Sequence, residues 1–302
     1  MRVVTFPTED NLLIAGAYTP PPRPGRAPMA ILLHMYGSDR HAFDPLVPVL
    51  HGAGFAVLAI DLRGHGESVG PAALRLARRV AERDKKLFAE MDRDVEAAYA
   101  WLAAQPEADP ARFVLVGASV GCSVALEYAA RDRSVDAMVC LTPGTGYLGL
   151  DAIAAARKYG RRPVLLIASE QERAACDELK GLLPGATVHV VGSAGSDPMS
   201  LHGTRMFGRV VGIEAVIAAF LKTTAGEPAA NPVKASIQGE VYHAADAGSA
   251  RQINPRNLRW FSSAEEAEAR GLRPPKVRGS ARGQPRSRPA SGESFPGHGS
   301  LP

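Results

Sequence analysis

Gly117-Ala118-Ser119-Val120-Gly121 sets one hydroxyl between two glycines, directly after an apolar run at 113–116 and directly before a helix-like run at 122–131. A strand that turns sharply into a helix holds its corner residue in a strained conformation, and glycines on either side supply the clearance the corner needs. Ser119 would then stand exposed at a helix N-terminus, where oriented N–H groups favour developing negative charge. The chemistry such a residue can perform is nucleophilic attack. A serine hydroxyl is weak at neutral pH, so it needs a base, and the base needs an acid that fixes its tautomer. A serine that merely caps a helix is the competing reading, and the strand before it and helix after it favour the nucleophile.

Two other segments are dense in polar side chains. His34-Met35-Tyr36-Gly37 follows one apolar run, and Asp61-Leu62-Arg63-Gly64-His65-Gly66-Glu67-Ser68 follows the next.

The elements that must carry these segments are legible as hydrophobic runs. Residues 29–34 and 55–60 read as buried strands, and Phe43, Leu46, Val47 and Leu50 between them fall on one face of a short helix. Short apolar runs recur at 113–116, 135–141, 164–168 and 187–191, separated by helix-like stretches of which 92–104 and 213–221 are the clearest. A doubly wound, mostly parallel sheet of the α/β class follows, with helices on its faces. Residues 2–6 and 12–18 suit an opening antiparallel hairpin.

Together the three segments resemble the α/β-hydrolase family, over about residues 1–224 by the order of the elements. The resemblance implies a triad in the chain order serine, acid, histidine. It makes the 61–68 segment a structural turn and His65 a poor base. Four histidines follow the serine: His189 falls within a strand, His243 in a C-terminal module and His298 in the tail, while His202 opens a polar loop before the last amphipathic helix and matches the position of the base. Glu172 best matches the acid, a few residues after the 164–168 strand, with Glu170 and Asp177 near enough to compete. The oxyanion N–H groups map onto Tyr36 and Val120. Met35 stands where the family usually carries the glycine of a His-Gly pair and is itself a candidate donor. The resemblance requires neither a metal nor an organic cofactor.

Composition bounds the rest. The chain has 302 residues, 46% hydrophobic and 22% charged, with no apolar run near the length of a membrane helix and no export signal at its start. Three scattered cysteines, Cys122, Cys140 and Cys176, form no disulfide framework, so a reducing cytoplasm is expected. The net charge of +4 resides at the C-terminal end: residues 251–302 hold ten Lys or Arg against four Asp or Glu. The large domain is therefore not a polyanion binder. An Arg- and Lys-rich excursion at 70–90 reads as a solvated face, and the 22 residues between 141 and 164 leave room for one crossover helix and no large lid.

A polar linker at 225–232 leads to a small α+β module at 233–276, in which Ser263 and Glu266 have capping-box spacing and Gly271 suits a helix stop. Residues 239–243 and 259–274 are similar to small Ada-like metal-binding domains, but residues 233–302 contain no cysteine to supply the zinc thiolates. What remains is a scaffold with Trp260 and Phe261 packed on Tyr242 and a basic exit able to contact nucleic acid or protein, followed by a disordered tail at 277–302 with five glycines and six prolines between Pro274 and Pro302.

The expected function is a serine hydrolase that cleaves a carboxylic ester or related acyl bond of a small molecule through an acyl-serine intermediate. Ester, thioester and lactone stay open. On this view removing residues 226–302 leaves hydrolysis intact. The alternative is a degenerate hydrolase scaffold that binds partners through the basic module.

Overall fold

The computed structural model describes residues 1–70, 73–226 and 228–275; the tail read as disordered lies outside them. Strands β1 (Arg2–Pro7) and β2 (Leu13–Thr19) form the opening hairpin, and β2 pairs antiparallel with β4 (Ala56–Ile60). The remaining strands β3 (Ala27–Leu33), β5 (Ala108–Ala118), β6 (Val135–Leu141), β9 (Val164–Ala168) and β10 (Ala186–Val190) run parallel, in the order β1-β2-β4-β3-β5-β6-β9-β10. Two short strands, β7 (Gly146–Tyr147) and β8 (Leu150–Asp151), make a hairpin in the crossover after β6.

The period of two along each strand divides the core. In β3, Met29, Ile31 and Leu33 face one side with α4 (Asp92–Ala103), α5 (Val120–Arg131), α6 (Ala152–Tyr159) and α7 (Arg173–Leu182); Ala30 and Leu32 face the other with α1 (Val47–Gly52) and α8 (Ile213–Thr224). Central strands buried on both faces explain why they read as continuous apolar runs.

Three expectations change in detail. The single helix carrying Phe43, Leu46 and Leu50 is a 3-10 turn at Arg40–Phe43 followed by the short α1. Pro45 and Pro48 lack N–H groups and are tolerated only in a first turn, so they split the helix while all three apolar side chains stay buried. The basic excursion folds as α2 (Ala73–Ala81) and α3 (Lys85–Ala89), and part of its charge is spent within it, Arg79 on Asp84 at 2.5 Å and Arg78 on Glu82 at 2.7 Å.

The third change concerns the module. It is a three-stranded antiparallel sheet, β12 (Tyr242–Ala244), β11 (Val233–Ser236) and β13 (Leu258–Phe261), followed by α9 (Ala264–Ala269), whose Ser263 cap accepts the Glu266 N–H. Phe261 packs with Tyr242, but Trp260 does not, because alternation along β13 turns it to the opposite face, where Lys234 Nζ sits 4.2 Å from its ring centre. Two module arginines point into the large domain. Arg259 Nε meets Asp132 Oδ2 at 2.5 Å and its Nη2 meets Glu96 Oε1 at 2.6 Å, while Arg270 Nη2 meets Asp136 Oδ1 at 2.6 Å. Two of the ten basic residues at 251–302 are thus paired inside the chain, at the end of the sheet opposite Ser119.

Candidate active site

Ser119 forms the corner between β5 and α5 with φ 51° and ψ −114°, a conformation that side-chain-bearing residues adopt only when their surroundings impose it. The Ser119 N–H donates to Leu141 O at 2.9 Å and its own carbonyl accepts the Cys122 N–H at 2.9 Å. The flanking glycines are there for space. A Cβ on Gly117 would strike the Gly121 carbonyl, and one on Gly121 would overlap the Leu33 and His34 carbonyls. The elbow therefore rests directly on the end of β3, where the 34–37 loop begins.

That loop is held by His34, which is fully buried. His34 Nε2 accepts the Leu62 N–H at 3.0 Å, so Nδ1 carries the proton and donates to Met35 O at 2.8 Å. The Ser38 N–H donates to the same carbonyl. With the Met35 carbonyl pinned, the planar trans peptide fixes the opposite direction of the Tyr36 N–H. Among the described residues the N–H groups of Met35, Tyr36 and Val120 carry no hydrogen bond, so each has a donor without a partner in the fold, that of Val120 within a fully buried residue.

Burial pushes the His34 imidazole down to about 3. Below its ordinary value of about 6.5 the unfolded chain takes up a proton that the folded chain refuses, so stability is complete above that pH and falls progressively toward pH 3. The loss amounts to about 5 kcal/mol from this group alone. Urea unfolding at stepped pH should show that slope, and His34→Gln should flatten it.

On the far side of the elbow, His202 Nδ1 lies 2.6 Å from Glu172 Oε1, both side chains about four-fifths buried. Glu172 ends a 3-10 turn, Glu170–Glu172, that follows β9 and is tied down by Gln171, whose amide contacts Ser193 Oγ and the Ala194 N–H. Of the competing acids, Glu170 is exposed and Asp177 is spent on Arg173 at 2.9 Å. The histidine loop is anchored by Gly203, whose N–H donates to Thr142 Oγ1 at 3.0 Å, and a Cβ at Gly203 would stand 3.5 Å from Ala118 Cβ, beside the elbow. With Nδ1 committed to the carboxylate, Nε2 is the nitrogen left for proton transfer. Thr142 was not singled out in the sequence; its one sign is its place immediately after β6.

The 61–68 segment is a turn stabilised by buried ion pairs. Asp61 accepts the Arg40 and Glu67 N–H groups at 2.7 and 2.8 Å as well as the Arg40 guanidinium, and Arg63 joins Asp94 at 2.8 Å. His65 is buried against His34, ring centres 5.0 Å apart, away from the Glu172 contact. His189 lies in β10, and His243 Nδ1 pairs with Ser249 in the module. His298 is outside the described residues. A cavity of about 380 Å³ opens beside the 36–39 loop, walled by Tyr36, Ser38, Asp39, His65 and Val80. A larger one, about 740 Å³, lies beneath residues 21–28 at the opposite end of the sheet from Ser119. Among the described residues no cluster has the ligands to hold a metal ion, and no helix is long and apolar enough to cross a membrane.

A mostly parallel eight-stranded sheet with an antiparallel edge, and a strained serine between the central β5 and its helix, define the α/β-hydrolase fold. The comparisons with known proteins agree. The family described as "Serine aminopeptidase, S33" matches residues 27–169, a stretch that includes Tyr36, Ser119 and Val120 and ends before Glu172 and His202. An uncharacterised protein of Mycobacterium tuberculosis strain H37Rv is 31% identical over 153 residues, 50% of this chain and 49% of that protein, so the chain spans about half the length of the curated relatives it matches. The Pyrococcus furiosus esterase Pf2001 superposes with a TM-score of 0.56 at 21% identity, over 74% of this chain and 90% of its own. Dienelactone hydrolase from Anabaena variabilis does so with a TM-score of 0.56 at 21% identity, over 74% and 95%. None of these matches supports the Ada-like likeness of the C-terminal module, which rested on short segments lacking that family's metal thiolates.

Proposed function

We propose that the protein is a serine hydrolase acting on a carboxylic ester or related acyl bond of a small molecule, with residues 1–224 carrying the chemistry. The observation that carries this reading is the 2.6 Å contact between His202 Nδ1 and Glu172 Oε1 on a loop beside the strained Ser119 corner. In the reaction, Ser119 Oγ attacks the acyl carbon and His202 Nε2 takes its proton. The oxyanion is held by the Tyr36 and Val120 N–H groups, each such donor being worth about 3–4 kcal/mol in comparable sites. His202 then gives the proton to the leaving group, the bond to that group breaks, and water activated by the same imidazole releases the acid.

A glutamate in place of the usual aspartate adds one methylene of reach, and its fit to the histidine is consistent with function. The cavity beside Tyr36 has the size of a small-ligand pocket. The esterase and dienelactone hydrolase among the fold relatives are compatible with either an ester or a lactone substrate. Three buried free thiols, Cys122, Cys140 and Cys176, suit a reducing compartment, and we place the protein in the cytoplasm.

The test is covalent labelling of the full chain by a fluorophosphonate, with peptide mapping. A single label on Ser119 is the expected result. A folded protein that resists the reagent would remove the activated serine and leave a binding role for the scaffold.

A further inference from the structure

The oxyanion loop and the histidine loop come from opposite ends of the large domain's sequence, and one side chain joins them. Met35 Sδ lies 3.0 Å, and Met35 Cβ 3.7 Å, from the point where a Cβ on Gly203 would stand. Thr204 Oγ1 turns its hydroxyl toward the same sulfur at 3.8 Å. Gly203 follows His202 and Ala118 precedes Ser119, so the thioether lies against the neighbour of the base at a point that the neighbour of the nucleophile also approaches.

The fit depends on both partners. Gly203 has φ +57° and no side chain, which is what allows a long side chain to lie against its backbone. On the other side the Gly203 N–H is held by Thr142 Oγ1, so the loop is clamped between Thr142 and Met35. Glu172 fixes one nitrogen of His202 by a single contact. A single contact sets a distance and leaves the tilt of the ring free, so the position of Nε2 follows the backbone at 202–204.

We propose that Met35 is a positioning residue whose side chain, seated on Gly203 and Thr204, sets the height of His202 Nε2 over Ser119. The proposal rests on the reading of His202 as the base. A base misplaced by about 1 Å costs on the order of 100-fold in rate. Alanine at position 35 keeps the backbone N–H and removes the wall, whereas leucine restores most of the volume without the sulfur.

The experiment compares wild type, Met35→Ala and Met35→Leu in the full chain, measuring kcat and KM on p-nitrophenyl acetate and the urea midpoint of each. Met35→Ala should lower kcat about 10- to 100-fold with KM within about threefold, and Met35→Leu should recover kcat to within about threefold of wild type. If Met35→Ala shifts only the unfolding midpoint and keeps kcat, Met35 merely packs and the proposal is overturned. A loss in Met35→Ala that leucine does not rescue overturns it as well, because volume would then not be what seats the loop. Wild type that neither turns over nor labels at Ser119 removes the proposed function itself, a result distinct from either failure at Met35.

Discussion

Ser119→Ala should lower kcat by about 10⁴- to 10⁶-fold and abolish fluorophosphonate labelling, because in the proposed reaction the acyl bond forms at Ser119 Oγ. Loss of fold would not account for this result. Ser119 makes only backbone contacts at the corner, to Leu141 and Cys122, and alanine keeps them. The unfolding midpoint of Ser119→Ala should stay near that of the wild type. A glycine at the same position makes a sharper comparison. The strain at φ 51° and ψ −114° belongs to any residue with a Cβ, so Ser119→Gly should be more stable than Ser119→Ala by about 1 kcal/mol, after glycine's larger unfolded-state entropy is allowed for. Turnover retained by Ser119→Ala would mean that the nucleophile lies elsewhere.

Removing the module should be nearly as severe, acting on stability instead of chemistry. Burial pushes the Asp132 carboxyl up, and the Arg259 guanidinium together with hydrogen bonds from Ser134 and Tyr128 more than reverses this, holding it below its ordinary value. Arg259 also touches Glu96, the Tyr128 hydroxyl at 3.2 Å and the face of Tyr99 at 4.3 Å. Cutting the chain after Ala225 strips the Asp132 carboxylate of Arg259, and it removes the Arg270 contact from Asp136, whose carboxyl burial pushes up to about 8. Breaking the Asp132 pair alone costs about 3–5 kcal/mol, a large part of the 5–15 kcal/mol that holds a typical domain together.

Residues 1–225 should therefore be recovered unfolded or aggregated at 25 °C, in place of the active fragment that the linker at 225–232 implied. In the full chain Arg259→Met should lower the unfolding free energy by about 3–5 kcal/mol while the folded fraction keeps its kcat, because the pair lies at the other end of the sheet. Adding Asp132→Asn should recover part of that loss, since a neutral amide needs no counter-charge. A truncated chain with the wild-type midpoint would show that the module is dispensable.

Much of this protein could be read without coordinates. The strands β3 to β6 and β9, the opening hairpin and α8 follow from apolar runs and spacing, because burial on both faces of a parallel sheet leaves a continuous signal. Ser119 was legible because its corner demands glycines on either side, a constraint local to five residues. His202 and Glu172 could be matched to a base and an acid through the family resemblance, but their mutual contact could not, since 30 residues, a helix and a strand separate them.

Long-range packing decided what the sequence left open. The choice among Glu170, Glu172 and Asp177 turns on which carboxylate the β9 turn aims at the histidine loop, and that direction is set by the Gln171 contacts with residues 193–194. The module's arginines looked like a surface for an external anion because composition records charge without its partner. Asp132 and Asp136 stand more than a hundred residues upstream of Arg259 and Arg270, and only the folded chain brings them together. The sequence determined which residues could do chemistry, because local backbone geometry constrains residue type. Tertiary structure decided which of them meet, because contacts between distant segments leave no local trace.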